Sequence, residues 1–193
     1  MLIPPEKIGF DFDGVIADIG EAFIRLACDD HNFCSIRLEE ITDFHVEKCT
    51  DVPEIVVQKI FSDILEDSLA AGLIPLPGAL EVLQKISQSS MITIITARSA
   101  ELPVARWLDH YLPRETCRKI KIFAMHDHDQ KVRYIQQEKL DFFIDDRAET
   151  CAHVAKANLG PILFRQPWNS RWHDFTTVSS WQEIAELIDS RSI

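Results

Sequence analysis

Asp11 and Asp13, separated by one residue in the run FDFDGVIAD, are the side chains of this sequence best placed to do chemistry. The apolar residues 8–10 predict a short buried strand directly before them, and residues two apart on a strand point to the same side. Two carboxylates held this close repel each other unless a cation lies between them or one of them keeps a proton. Either arrangement suits chemistry on an anionic substrate. The alternative is a surface turn, where Asp and Gly are also common.

Two further predicted strands, at 91–95 and 142–144, run into residues that could join this pair of carboxylates. These residues are Thr96, Ala97 and Arg98 after the strand at 91–95, and Asp145 and Asp146 after the strand at 142–144. Lys131 lies near the start of the helix predicted before the second strand. Because ligands bind outside the carboxyl ends of parallel strands, we expect all of these residues at one edge of the sheet.

The carboxylates at this edge predict a metal site. Four of them crowded together, Asp11, Asp13, Asp145 and Asp146, need a hard cation with oxygen ligands, and Mg²⁺ fits such a set. A carboxylate nucleophile beside a divalent metal, a lysine and a hydroxyl group is the equipment for phosphoryl transfer. A helix cap is the alternative role for Asp146.

The same residues predict a division of labour in that reaction. Asp11 attacks phosphorus and becomes an aspartyl-phosphate, while Asp13 protonates the leaving oxygen and then deprotonates the hydrolytic water. Lys131 offsets the negative charge of nucleophile and phosphate. The tripeptide Thr96-Ala97-Arg98 is the predicted phosphate-binding segment, with pairing to a surface carboxylate as the alternative for Arg98.

Strands and helices alternate along most of the chain. Apolar strands are predicted at 8–10, 91–95, 120–124, 142–144 and 162–164, each of the later four preceded by a helical pattern. This alternation indicates an α/β fold with a Rossmann-like parallel sheet and helices on both faces. Residues 18–74 show helical patterns without a strand, so we expect a small helical cap there, inserted after the first strand, with 1–17 and 75–193 as the core.

The composition limits the possible partners and the compartment. The net charge is −11, and the absence of a Lys/Arg run argues against a nucleic acid polymer as partner. No apolar run approaches membrane-spanning length and no signal peptide is recognisable, so we expect no membrane partner and a cytoplasmic protein. The five cysteines include no C-x-x-C pair, which predicts reduced thiols rather than disulfides. The run HDHD at 126–129 is interpreted as a solvated loop.

These motifs resemble those of the haloacid dehalogenase (HAD) superfamily, most of whose members are magnesium-dependent phosphohydrolases. The four family motifs correspond here to DFDGV with Asp11 and Asp13, Thr96 after the run MITII, Lys131, and the pair Asp145-Asp146. The resemblance spans about residues 7 to 165. It implies a HAD-like fold, and the helical segment after the first motif resembles the short cap that the family inserts there.

Within the superfamily, the chain is most similar to the C-type 5′-nucleotidases, the 5′(3′)-deoxyribonucleotidase group. The similarity lies in DGVIAD, LPGALEVL and IDDR, and in the segment QPWN at 166–169, which resembles a motif of bacterial members. It implies a small phosphorylated substrate, a nucleoside monophosphate, and a cap that offers aromatic contacts to the base. Phe44 and His45 are the predicted specificity residues, whereas Phe23 and Phe61 lie on apolar helical faces that favour core packing.

Other functions remain open at the level of sequence. One is a HAD phosphatase for a sugar phosphate or another small phosphometabolite. A different class is a phospho-accepting signalling domain or a non-catalytic binding protein, although receiver domains carry their acceptor Asp on a middle strand and lack a helical insert. We expect a monomer or a homodimer.

Overall fold

A single parallel sheet forms the centre of the protein. The computed structural model describes residues 2–125, 130–170 and 173–188, so the run at 126–129 lies outside the described residues. The strands are β1 (Ile8–Phe10), β2 (Ile92–Thr96), β3 (Ile120–Ala124), β4 (Phe142–Asp145), β5 (Gly160–Phe164) and β6 (Thr176–Val178). Their order is β3-β2-β1-β4-β5-β6, and every neighbouring pair is parallel. The predicted α/β fold with a parallel sheet is therefore confirmed.

Helices connect the strands along the chain. They are α1 (Ile19–His31), α2 (Glu54–Glu66), α3 (Ala79–Ser87), α4 (Leu102–Tyr111), α5 (Arg114–Cys117), α6 (Lys131–Gln137), α7 (Ala148–Lys156) and α8 (Trp181–Leu187). Ser180 caps α8 by accepting a hydrogen bond from the backbone N–H of Glu183. Among the described residues, no helix combines the length and apolar character needed to cross a membrane.

The switch point of the sheet lies beside β1. The chain builds β2 and β3 on one side of β1 and then crosses to the other side to form β4, which creates a crevice at the carboxyl end of β1. Phe10 is in register with Ile94 of β2 and with Ile144 of β4. Asp11, the next residue, therefore emerges between the ends of two neighbouring strands. All residues of β1, β2 and most of β4 are buried, which fixes these ends firmly.

The helical insert, as we call residues 18–74, contains α1 and α2 with two 3-10 turns between them. Its two ends lie side by side at the core. The backbone N–H of Asp18 donates to the carbonyl of Ile74 at 2.8 Å, and an antiparallel bridge joins Ala17 to Pro75. The insert therefore leaves and rejoins the core at one place.

The sequence pattern predicts neither β6 nor α5. The two threonines of β6 are exposed, and three residues are too few to establish an alternating pattern. Helix α5 has only four residues, less than the length over which helical periodicity becomes recognisable. Both elements lie away from the crevice.

A disulfide corrects the prediction of reduced thiols. Cys28 and Cys34 are bonded, with a Cα–Cα distance of 4.2 Å, whereas Cys49, Cys117 and Cys151 are free. The pair forms because α1 ends at Asn32 in the left-handed conformation, with φ of 62°, which turns the chain back toward the last turn of the helix. A spacing of six residues does not reveal such a reversal, which depends on the conformation of one residue.

Candidate active site

A tight turn after β1 positions the first pair of carboxylates. The N–H of Asp11 donates to the carbonyl of Ile144 at 2.8 Å, which continues the pairing of β1 with β4 by one residue. Gly14 follows with φ of +73°, and a Cβ atom at this position would lie 2.2 Å from Oδ2 of Asp146. Glycine is therefore required here for both the conformation and the close approach of Asp146.

Three buried carboxylates and one buried lysine form the centre of the site. Carboxylate oxygens of Asp11, Asp145 and Asp146 lie within 4.8 Å of one another. Nζ of Lys131 lies 2.8 Å from Oδ2 of Asp11 and 2.6 Å from Oδ2 of Asp145. The lysine side chain is only 1% exposed, so its charge is buried together with those of the carboxylates. Three negative charges and one positive charge leave the fully ionised cluster with a net charge of −2.

Burial makes that excess of negative charge unfavourable. It raises the pKa of Asp11 to about 7, with Asp145 adding to the rise and Lys131 opposing it. Burial, followed by repulsion from Asp145 and Asp11, also raises the pKa of Asp146 well above its ordinary value. For Lys131 burial acts against the charge, but attraction to Asp11 and Asp145 outweighs it and the pKa is raised. Lys131 is therefore positively charged. It is one cation beside three carboxylates, so negative charge in the cluster remains unbalanced.

The donor set fits a hard divalent cation. All ligand atoms that this cluster offers are carboxylate oxygens, which suit Mg²⁺ rather than the softer metals that select sulfur or imidazole. The net charge of −2 matches one such ion. The structure thus brings Asp11, Asp145 and Asp146 together as the sequence predicts, while the fourth predicted ligand, Asp13, lies outside the carboxylate cluster.

Asp13 is paired with Arg98 instead. Nε and Nη2 of Arg98 lie 2.8 and 2.7 Å from the two oxygens of the Asp13 carboxylate, a two-point ion pair. The third nitrogen, Nη1, donates to the hydroxyl of Ser68 at 2.6 Å, just beyond the end of α2. The guanidinium, which the sequence assigns to phosphate, is buried and shared between a core carboxylate and the helical insert.

A cavity of about 600 Å³ opens above the cluster and is bounded by the core below and the helical insert above. Of the predicted site residues, it is lined by Asp11, Asp13, Thr96, Ala97, Arg98, Asp146, Phe44 and His45. Lys131 and Asp145 lie beneath its floor. Thr96 ends β2 and is 1% exposed, and its hydroxyl accepts a bond from the N–H of Arg98 at 3.3 Å. A turn thus holds the predicted phosphate-binding segment.

Aromatic side chains form part of the cavity wall. Phe23 and Phe61 stack on each other with centroids 5.2 Å apart, so the predicted packing role is present, yet both also line the cavity. Phe44 is 40% exposed, and Cζ of Arg147 lies 5.4 Å from the centre of its ring. Arg147, the residue after Asp146, therefore contacts the insert as well as its partner Glu149.

The segment at 166–169 donates hydrogen bonds to Asp146 and to the turn after β1, a role that sequence reasoning missed. Nε1 of Trp168 donates to Oδ2 of Asp146 at 2.8 Å. Nδ2 of Asn169 donates to the carbonyl of Asp146 at 2.7 Å, and Nε2 of Gln166 donates to the carbonyl of Gly14 at 2.8 Å. In the sequence, this segment stands out only by its resemblance to a motif of bacterial relatives. The available signal is position, because this segment follows the carboxyl end of β5, where ligands of such sheets bind.

The chain is similar in sequence to a nucleotidase family and in fold to a superfamily of hydrolases. The model of the family described as 5′ nucleotidase, deoxy (pyrimidine), cytosolic type C protein (NT5C) matches residues 6–193. A curated protein of Bacillus cereus, named "Putative nucleotidase", is 23% identical over 192 residues, covering 94% of this chain and 97% of that protein.

Two solved structures illustrate the likeness in fold. A HAD-superfamily hydrolase from Ehrlichia chaffeensis has a TM-score of 0.55 at 12% identity, over 96% of this chain and 97% of that one. A HAD-superfamily hydrolase of subfamily IA, variant 1, from Geobacter sulfurreducens PCA has a TM-score of 0.59 at 14% identity, over 94% and 95% of the two chains.

Proposed function

Because the chain belongs to the cytosolic type C 5′-nucleotidase family within the HAD-like hydrolases, and is therefore a phosphoric monoester hydrolase, we propose that it is a magnesium-dependent nucleotidase. Its substrates are (deoxy)nucleoside 5′-monophosphates, and the reaction passes through an aspartyl-phosphate on Asp11. The observation that carries this proposal is the placement of Asp11 and Asp146 on the floor of a cavity of about 600 Å³ with aromatic walls. Such a volume suits a ligand of nucleotide size.

Lys131 orients the carboxylate of Asp11, the proposed nucleophile. Lys131 donates to Oδ2 of Asp11, so we assign the attack on phosphorus to Oδ1. The phosphorus–oxygen bond to the nucleoside breaks as the new bond to Asp11 forms, and the second step replaces the Asp11 oxygen with that of water. The charge on Lys131 stabilises both the ionised nucleophile and the phosphoryl oxygens. Thr96 and the backbone of Ala97 line the place where these oxygens would lie.

Asp13 supplies the proton for the leaving oxygen and recovers it from the attacking water. Both of its oxygens accept from Arg98 in this structure, and protonation of one of them removes the negative charge that strengthens these bonds. We therefore expect the pair to loosen when Asp13 acts as an acid. We assign to Arg98 the orientation of Asp13, with a phosphate contact following only when that pair loosens.

Asp11, Asp145 and Asp146 would hold the Mg²⁺ ion. When bound, the ion supplies positive charge that neutralises the carboxylates and the transferring phosphoryl group. The protein's own contribution is to hold these carboxylates close together and shielded from water. Lys131 and the bond from the N–H of Arg147 to Oδ1 of Asp145, at 2.8 Å, fix two of them in place.

The walls of the cavity favour a nucleotide over a sugar phosphate. Phe23, Phe61 and Phe44 present apolar surface above the cluster, and a planar base gains more from such surface than a hydrated sugar does. The decisive experiment is a phosphate-release screen with Mg²⁺ across 5′- and 3′-monophosphates of nucleosides and deoxynucleosides, together with sugar phosphates. A higher kcat/KM for the sugar phosphates than for every nucleotide would overturn the nucleotidase assignment while leaving the phosphatase chemistry intact.

We propose that residues 18–74 act as a cap that closes the cavity over residues 1–17 and 75–193, with Phe44 and His45 facing the base. We also propose a cytoplasmic location, supported by the cytosolic description of the family.

We expect Phe44→Ala to raise KM for nucleotides and to leave KM for ribose 5-phosphate nearly unchanged. Stacking of a base on an aromatic ring is worth about 1–3 kcal/mol, which corresponds to roughly 5- to 150-fold in affinity. Steady-state kinetics with both substrates measures the difference. Ile55→Ala is the matched control, because Ile55 is 72% exposed on the same insert and does not line the cavity. Equal effects of Phe44→Ala on both substrates would contradict the assignment of Phe44 to the base.

We expect Mg²⁺ to stabilise the protein more at about pH 8 than at about pH 5.5. Burial raises the pKa of Asp11 from 3.8 to about 7, so the folded metal-free protein keeps a proton that the unfolded chain has lost. Its stability therefore falls as the pH rises between these two values, and is lowest above the folded pKa. A bound cation favours the ionised form and removes this loss. Thermal unfolding with EDTA and with Mg²⁺ at both pH values measures the effect, and equal shifts would contradict it.

A further inference from the structure

Trp168 joins the carboxylate cluster to the helical insert. Its indole N–H reaches Oδ2 of Asp146 at 2.8 Å. On the other side its ring lies against Gly20 in the first turn of α1, where a Cβ atom on residue 20 would come within 3.3 Å of ring atom Cζ3. The ring thus packs on the insert beside residue 20, whose missing side chain leaves room for Leu38 and for the ring.

The carboxylate of Asp146 has few other means of being oriented. It follows β4, outside the regular pairing of the sheet. Oδ2 is confined between the Cα hydrogens of Gly14 and the indole N–H of Trp168. Lys131, by contrast, contacts Asp11 and Asp145 and fixes the other two carboxylates of the cluster. Each of the three carboxylates therefore has a donor, and for Asp146 the donor is Trp168.

We propose that Trp168 is a positioning residue that orients Asp146 for divalent metal binding, with its ring seated on the helical insert. This inference rests on the proposed metal site of Asp11, Asp145 and Asp146. A hydrogen bond to a metal-ligating carboxylate fixes the rotamer of the ligand before the ion arrives, which lowers the ordering cost of binding. Removing such a bond typically costs about 10- to 100-fold in metal affinity.

Trp168→Phe tests the proposal, because phenylalanine keeps an aromatic ring and loses only the N–H donor and part of the ring. Trp181→Phe is a matched control. Nε1 of Trp181 also donates near the first motif, to the carbonyl of Val15 at 2.7 Å, and its side chain is fully buried, but it does not contact the carboxylate cluster. Both variants lose one indole hydrogen bond, so a general loss of stability affects both of them.

The measurement is the dissociation constant of Mn²⁺, used as the probe of the divalent site, by isothermal titration calorimetry of the metal-free full chain without substrate. We expect it to rise about tenfold or more in Trp168→Phe and to stay within about twofold of wild type in Trp181→Phe. Circular dichroism and thermal unfolding verify that each variant is folded. Trp168→Met, which removes the same donor and fills the space with a flexible apolar chain, replaces Trp168→Phe if that variant does not fold.

The possible results separate this inference from the proposed function. Unchanged Mn²⁺ affinity in a folded Trp168 variant, or an equal loss in Trp181→Phe, would overturn the positioning role and leave the metal-dependent mechanism standing. A wild-type protein that binds no Mn²⁺ would overturn both. A selective loss in the Trp168 variant supports the positioning role, and a half-saturating Mg²⁺ concentration for phosphate release that shifts by the same factor links it to turnover.

Discussion

Replacing Asp11 with Asn is expected to lower phosphate release from every substrate by about 10⁴-fold or more, because the amide removes the nucleophilic carboxylate. The fold should survive. The amide oxygen can still accept the bond from Lys131, and the change removes one negative charge from a buried cluster that carries a net charge of −2 when fully ionised. We therefore expect a melting temperature in EDTA at or above that of wild type. Phosphate release and thermal unfolding measure the two effects.

Asp18→Asn is the control for this experiment. It makes the same chemical change in the same chain segment, but Asp18 caps α1 by accepting from the N–H of Glu21, and asparagine caps helices about as well. Activity close to wild type is expected for this variant. Turnover that persists in Asp11→Asn would rule out the aspartyl-phosphate intermediate, whatever the control shows.

Replacing Lys131 with Met is expected to cost about 3–5 kcal/mol of stability in EDTA, because two buried carboxylates lose their shared cation. Nζ of Lys131 contacts both Asp11 and Asp145, and the side chain is almost wholly buried. Phosphate release should fall by roughly 10²- to 10³-fold, the usual effect of removing one donor that stabilises charge in the transition state. Mg²⁺ should stabilise this variant more than it stabilises wild type, since the cluster becomes more negative. Urea unfolding with and without Mg²⁺ measures these differences.

Lys121→Met provides the comparison. Lys121 pairs with Glu138 at 2.8 Å, but its side chain is 49% exposed, and surface pairs contribute about 1 kcal/mol or less. If the two lysine variants lost the same stability in EDTA, the buried cluster would not depend on Lys131 as described.

The chemistry of the site can be predicted because strand ends can be recognised in a sequence. A buried strand is a short apolar run, and the first polar residue after it marks the carboxyl edge of the sheet. This rule identifies Asp11, Thr96 and Asp145, and the structure places all three at or next to the ends of β1, β2 and β4. Lys131 is identified by its position at the start of a helix that leads into β4.

The contacts between distant segments could not be predicted. Arg98 and Asp13 are 85 residues apart, and nothing local distinguishes an arginine that binds a carboxylate from one that binds a phosphate. Trp168 is a large aromatic residue of the kind that usually packs in a core. Its hydrogen bond to Asp146 depends on the conformation of the turn that follows β5. The Cys28–Cys34 disulfide likewise depends on a left-handed residue between the two cysteines. Each of these features is set by geometry that emerges only when the elements are assembled.

The paired ends of the helical insert have a consequence for how this enzyme can change over evolution. The chain departs after Ala17 and returns at Pro75, and the two crossings are hydrogen-bonded to each other at the edge of the core. A segment whose ends meet can be lengthened, shortened or exchanged without moving the strands to which it is attached. If the insert is the proposed cap, selection can therefore alter substrate choice through this segment, provided that the contacts of Ser68 with Arg98 and of Gly20 with Trp168 are kept.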